Sequence, residues 1–94
     1  MNKKQKIQKA KTIQKTINYW IKAIKQCVDL ADLNDTKYMI KCIPNYITLI
    51  DNQLAEARKL GIDELLNLQG IYENIVKYRQ VYDEAIKEEL IWEI

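Results

Sequence analysis

The side chains in this chain best suited to chemistry are a lone arginine among tyrosines, a run of lysines and two cysteines. Arg79 follows Tyr78, with Tyr72 and Tyr82 on nearby turns. A guanidinium in that company stacks on rings and forks to a phosphate or carboxylate. Spacing puts Arg79 on an apolar stripe between Ile75 and Tyr82, which makes Arg79, Tyr72, Tyr78 and Tyr82 the candidate ligand-binding set. The competing reading is a cation reaching from the bundle edge to Asp51, Glu73 or Asp83.

The lysines are one-sided. From Met1 to Val28 there is no acid, while Lys3, Lys4, Lys6, Lys9, Lys11, Lys15, Lys22 and Lys25 are basic. From Asp29 onward the balance turns acidic, and Asp83, Glu84, Glu88, Glu89 and Glu93 crowd the last turns, so a net charge of +2 hides a dipolar chain. Positive charge at a helix start and negative charge at a helix end both oppose the helix macrodipole, by a few tenths up to about 1 kcal/mol. Local helix stability therefore does not account for the pattern. Two functional readings do: the basic end of one copy meets the acidic end of another, or the lysines hold nucleic-acid phosphates. A solvated, frayed terminus is the third. The expected interface combines Lys3, Lys4, Lys6 and Lys9 with the apolar cluster Leu90, Ile91, Trp92 and Ile94.

Cys27 and Cys42 fall at similar height on adjacent helices if a turn is centred near Asn34 and Asp35. Helix axes about 8 to 10 Å apart seldom bring Cα atoms to disulfide distance, so two small reduced core residues are expected. Histidine is absent, which removes the commonest general base and transition-metal ligand. Two isolated cysteines do not complete a zinc site. Gly61 and Gly70 are the only glycines, too few for a phosphate loop, and neighbouring carboxylates such as Glu88 and Glu89 diverge around a helix. No enzymatic activity, metal or cofactor is expected.

The elements that must position these groups are helices. Apolar residues recur three and four apart in three stretches: Ala10, Ile13, Ile17, Trp20, Ile24, Cys27 and Ala31; Met39, Ile43, Tyr46, Ile50, Ala57 and Leu60; Leu65, Leu68, Tyr72, Ile75, Tyr82 and Ile86. Helix one is expected from about Lys4 to Leu33. Helix two starts near Thr36 and is kinked at Pro44, which cannot donate to the Ile40 carbonyl; the alternative is a short segment from Thr36 to Cys42 followed by a new helix with Pro44 in its first turn. Gly61 ends it, and Asp63 caps a third helix that runs to the last residue. Gly70 within that helix marks a close approach of another backbone, near Leu54, or a break of the helix into two pieces. The fold class is all-α: one domain over residues 1–94, an antiparallel three-helix bundle that self-associates through the overhanging ends of helices one and three.

The Ala-x-x-x-Gly-Ile spacing from Ala57 to Ile62 resembles the turn of helix-turn-helix DNA readers. Asn67 and Gly70 stand where that family seats apolar residues, and Asp63 and Glu64 would face phosphates, so no residue roles are carried over. No signal-peptide run and no stretch of roughly 20 apolar residues is visible, so a cytoplasmic location is expected. Heavy use of Lys, Ile, Asn and Tyr with two arginines points to AT-rich coding, as in a low-GC bacterium, its phages or mobile elements. The expected function is non-enzymatic: a phage or mobile-element factor that blocks or sequesters a host component through a helix-face protein contact. The alternatives are an oligomeric sponge for a small anionic nucleotide and nucleic-acid binding by the lysine-rich helix.

Overall fold

The computed structural model describes residues 1–30 and 36–93, with side chains for 1–29 and 37–89. Ala31, the turn expected at Asn34 and Asp35, the side chains of Leu90, Ile91 and Trp92, and Ile94 lie outside the described residues. Three helices carry the fold: α1 (Lys3–Leu30), α2 (Thr36–Lys59) and α3 (Leu68–Glu93), with a short 3₁₀ turn at Asp63–Leu65 between the last two. Cross-helix pairs fix an antiparallel bundle. Trp20 of α1 stacks on Tyr46 of α2 at 5.7 Å, and Lys37 near the start of α2 meets Glu89 near the end of α3 at 3.6 Å.

A reciprocal cap starts α1. Asn2 Oδ1 accepts from the Gln5 N–H at 2.8 Å, and Gln5 Oε1 accepts from the Asn2 N–H at 3.0 Å. This capping box satisfies two of the amides a helix start leaves free. No Gly or Pro interrupts the remainder of α1, and Ala10, Ile13, Ile17, Ile24 and Cys27 are buried on the expected stripe, with Trp20 packed beside them.

Helix α2 runs unbroken through Pro44, one helix rather than two segments. Its core residues are Ile43, Ile47, Ile50, Leu54 and Ala57, while Met39, Tyr46 and Leu60 flank them half-buried. Gly61 ends the helix at φ +70, where the Ile62 N–H reaches the Ala57 carbonyl at 2.9 Å and the Gly61 N–H the Arg58 carbonyl at 3.0 Å. Those two bonds close a Schellman turn, and Ile62 and Ala57 are both fully buried as its apolar contact. The Ala57–Ile62 segment that resembles a helix-turn-helix is therefore a helix stop followed by a 3₁₀ turn.

The expected start of helix three is corrected. Asp63 opens only the 3₁₀ turn, Leu66 is extended at φ -90 and ψ 159, and α3 begins at Leu68 with Asn67 as its cap. The Asn67 Oδ1 accepts from the Gly70 N–H at 3.3 Å. That break shifts the helical phase, so the stripe counted from Leu65 is corrected at two positions, Leu65 at 52% and Tyr72 at 40% exposed, while Ile75 is buried and Leu68 and Tyr82 pack against the core as expected. The buried face of α3 is Ile71, Ile75, Tyr78 and Ala85, with Leu66 just ahead of it. Gly70 is corrected as well. A Cβ there would lie 2.5 Å from Nδ2 of Asn67, so the glycine makes room for the cap and not for the backbone of α2.

The core is mostly isoleucine, each side chain worth about 1.5–3 kcal/mol when fully buried. Helix α1 packs along α2 and α2 along α3, whereas α1 and α3 approach sparsely, leaving that side of the bundle the open one. The molecule is 57 Å long and 20 × 18 Å across, while 28 residues of α1 span only about 42 Å. Residues 1–9 are all exposed and Ala10 is the first buried one, which places an overhang at the start of α1. Among the described residues no helix is long and apolar enough to cross a membrane.

Candidate functional site

The tyrosines around Arg79 do not converge. Arg79 is exposed and its Nη2 lies 3.6 Å from Oδ2 of Asp51, the edge pairing that its position on the bundle allows. Arg58 Nη2 donates to the Tyr72 hydroxyl. Asp51 and Arg58 stand seven residues apart on α2, and Arg79 and Tyr72 seven apart on α3, so two turns of the antiparallel seam are pinned by matching pairs. Tyr78 faces the core, with Lys77 Nζ 5.3 Å from its ring centroid, and Tyr82 is half-buried against the core. Burial pushes the Tyr78 hydroxyl above its ordinary value, and the charge of Asp29 adds to that rise.

A better-formed concavity lies elsewhere. Where the first half of α1 passes the 3₁₀ turn, Ile7, Ala10, Lys11, Gln14, Lys15, Asn18 and Leu65 line a groove of about 380 Å³. Lys3 and Lys4, two of the expected interface lysines, extend it in a more open depression shared with Ile7, Gln8 and Lys11. Lys9 lies beside a separate shallow surface with Met1, and Lys6 is exposed. Sequence reasoning missed Lys11, Lys15, Ile7 and Leu65 as a group. The available signal was Ile7, an isoleucine one turn before the core stripe and off its line, sharing a helical edge with Lys11, Gln14 and Asn18.

Two interactions hold the groove in shape. The Asn67 backbone N–H donates to Gln14 Oε1 at 2.8 Å, and Gln14 Nε2 donates to Asn18 Oδ1 at 2.9 Å. The amide of Gln14 is thus fixed at both ends, and the loop carrying Leu65 is tied to α1. Electrostatically the wall is one-sided, since no lysine of α1 forms an ion pair among the described residues. Asp63 and Glu64 on the adjoining 3₁₀ turn bring negative charge to the opposite side, so the basic character of the groove comes from α1 alone.

Around the other end, Cys27 is buried and Cys42 half-buried, and the two are not joined in a disulfide. The Tyr38 hydroxyl sits above its ordinary value, first through its side-chain hydrogen bond with Cys42 and then through the nearby Cys42 and Cys27. Both cysteines thus lie close enough to Tyr38 to act on its hydroxyl. Among the described residues no group of three or more His, Cys, Asp or Glu side chains is placed to hold a metal ion.

No protein-family model matches this chain, no curated protein matches it in sequence, and no solved structure matches it.

Proposed function

We propose that this chain is a non-enzymatic binding protein that docks an acidic, apolar-faced helix of a partner protein in the groove between the start of α1 and the 3₁₀ turn. One observation carries the reading: exposed Ile7 and Leu65 share a groove with Lys11 and Lys15, lysines that have no intramolecular ion pair among the described residues. An apolar floor supplies about 25 cal/mol per Å² of surface it removes from water. The lysine rim steers an acidic partner and sets its orientation more than it adds affinity. Blocking or sequestering a host component in this way suits the product of a phage or mobile element acting in a host cytoplasm, an origin supported by the AT-rich composition alone.

A second reading has its own observation. Lys4, Lys11, Lys15 and Lys22 are exposed and fall within one narrow sector of α1 opposite its core stripe, a ridge about 27 Å long. Such a ridge fits a phosphate backbone. The nucleotide-sponge reading has less support, because Arg79 is engaged by Asp51 and Tyr78 faces the core.

Fluorescence anisotropy separates these readings. A labelled synthetic Glu/Leu amphipathic helix is expected to bind saturably, and Lys11→Glu with Lys15→Glu is expected to weaken it at least tenfold. A labelled DNA duplex that binds more tightly than the peptide, with a steep loss on adding salt, would move the function to nucleic acid.

A further inference from the structure

We infer that the acidic partner is a second copy of this chain, laid antiparallel so that the end of α3 in each copy enters the α1 groove of the other. The inference rests on the binding reading above and names its occupant. Within one molecule the basic start of α1 and the acidic end of α3 lie at opposite ends, because Lys37 near the start of α2 pairs with Glu89 of α3, whereas α1 begins where α2 finishes. The long axis is 57 Å, several times the Debye length of about 8 Å at physiological salt, so the two poles do not neutralise each other.

The acidic pole has charge to give. Asp83, Glu84 and Glu88 are exposed and form no ion pair among the described residues, and Lys87 is the one cation between Asp83 and Glu89. The same segment sets these acids beside the apolar residues Ile86, Leu90, Ile91 and Trp92 in sequence, the composition the groove selects, while Ala85 faces the core of its own chain.

Geometry favours the side-by-side arrangement over end-to-end stacking. A stable protein interface buries about 800 Å² per partner. Two rods 57 Å long have the length to reach that when laid flank to flank, whereas an end contact is limited to the 20 × 18 Å cross-section. An antiparallel pair also satisfies both poles at once and closes on a two-fold axis, while head-to-tail contacts leave an open chain.

The test is sedimentation velocity of the full chain at about 0.01 M and about 1 M salt, where the Debye length is about 30 and about 3 Å. A dimer at low salt whose dissociation constant rises at least tenfold at high salt is expected. Two variants sharpen it: Lys11→Glu with Lys15→Glu, and Asp83→Lys with Glu84→Lys and Glu88→Lys. Each alone is expected to be monomeric, and an equal mixture of the two is expected to regain the dimer mass, which no loss of folding reproduces. A monomer at low salt, or a dimer indifferent to salt and to both sets of reversals, overturns the inference. If the unsubstituted chain stays monomeric yet binds the acidic peptide, the self-pairing fails and the groove reading stands. Loss of both retires the groove.

Discussion

Oε1 of Gln14, midway along α1, accepts a hydrogen bond from the backbone N–H of Asn67, 2.8 Å away, just before α3 begins. Asn67 in turn caps α3 through the Gly70 N–H at 3.3 Å, so one side chain of the groove is wired to the start of another helix. Removing the acceptor with Gln14→Ala is expected to cost about 0.5–1.5 kcal/mol, the ordinary net worth of one hydrogen bond. Asn67→Ala removes the cap and is expected to cost about 1 kcal/mol. Chemical denaturation of both single variants and the double variant measures how far the two losses couple, and a non-additive result is expected for groups sharing a network.

Gly70 gives a test whose size depends on its neighbour. In the unsubstituted chain the Cβ of Gly70→Ala meets Nδ2 of Asn67, the end of a side chain that must turn aside, so loss of the cap offsets the gain in helix propensity, each about 1 kcal/mol, and a small net change is expected. In an Asn67→Ala background that obstacle is gone, and the same change is expected to stabilise by up to about 1 kcal/mol, the helix-propensity difference between Gly and Ala. Denaturation midpoints of the four variants read this directly. A Gly70→Ala effect of the same size in both backgrounds contradicts the role given to the cap.

Gly61 shows what local chemistry makes legible in a sequence. A glycine after Arg58, Lys59 and Leu60 announces a helix stop, and the left-handed φ of +70 is where the structure uses it. The stripes of α1 and α2 are legible for the same reason, since an uninterrupted helix keeps its phase from the first apolar residue to the last. The stripe of α3 is legible only in part: Ile75 is buried and Leu68 and Tyr82 pack against the core, but Leu65 falls in the 3₁₀ turn before an extended Leu66, and Tyr72 is exposed while Ile71 takes the core position. Tyr78 is read as a ligand-facing ring because it adjoins Arg79 in sequence, whereas on the helix it turns into the core and Arg79 turns out. The groove is harder still. It joins Ile7 and Lys11 to Leu65 across more than fifty residues, and helical periodicity carries no information about which loop folds back over which turn.

Tyr78 also carries a pH dependence. Burial, then the charge of Asp29, raises its hydroxyl above the ordinary 10.0, so in alkaline solution the folded chain holds a proton that the unfolded chain has lost. Its contribution to stability is complete below the unfolded value and declines as pH climbs through the raised native value. Thermal unfolding between neutral and strongly alkaline pH is expected to show a shallower alkaline decline for Tyr78→Phe than for the unsubstituted chain. Identical slopes would mean the hydroxyl is not buried as described.

Core and groove residues are expected to separate cleanly by what they cost. Ile17, fully buried, is expected to lose about 2–5 kcal/mol when replaced by alanine. Leu65→Ala, at a half-exposed position, is expected to change stability by less than about 0.5 kcal/mol while weakening partner binding. A Leu65→Ala variant as unstable as Ile17→Ala would assign that side chain to the core and remove it from the docking surface.

The most direct test of the docking surface is a map of backbone amide chemical shifts in the full chain as the acidic amphipathic peptide is added, at a salt concentration that keeps the chain monomeric. Shifts are expected to concentrate at Ile7, Lys11, Gln14, Lys15 and Leu65, the residues around the groove. Shifts that fall instead on Gln69, Tyr72, Glu73 and Val76, on the outer face of α3, would contradict the docking role of the groove and move the partner's seat to that face.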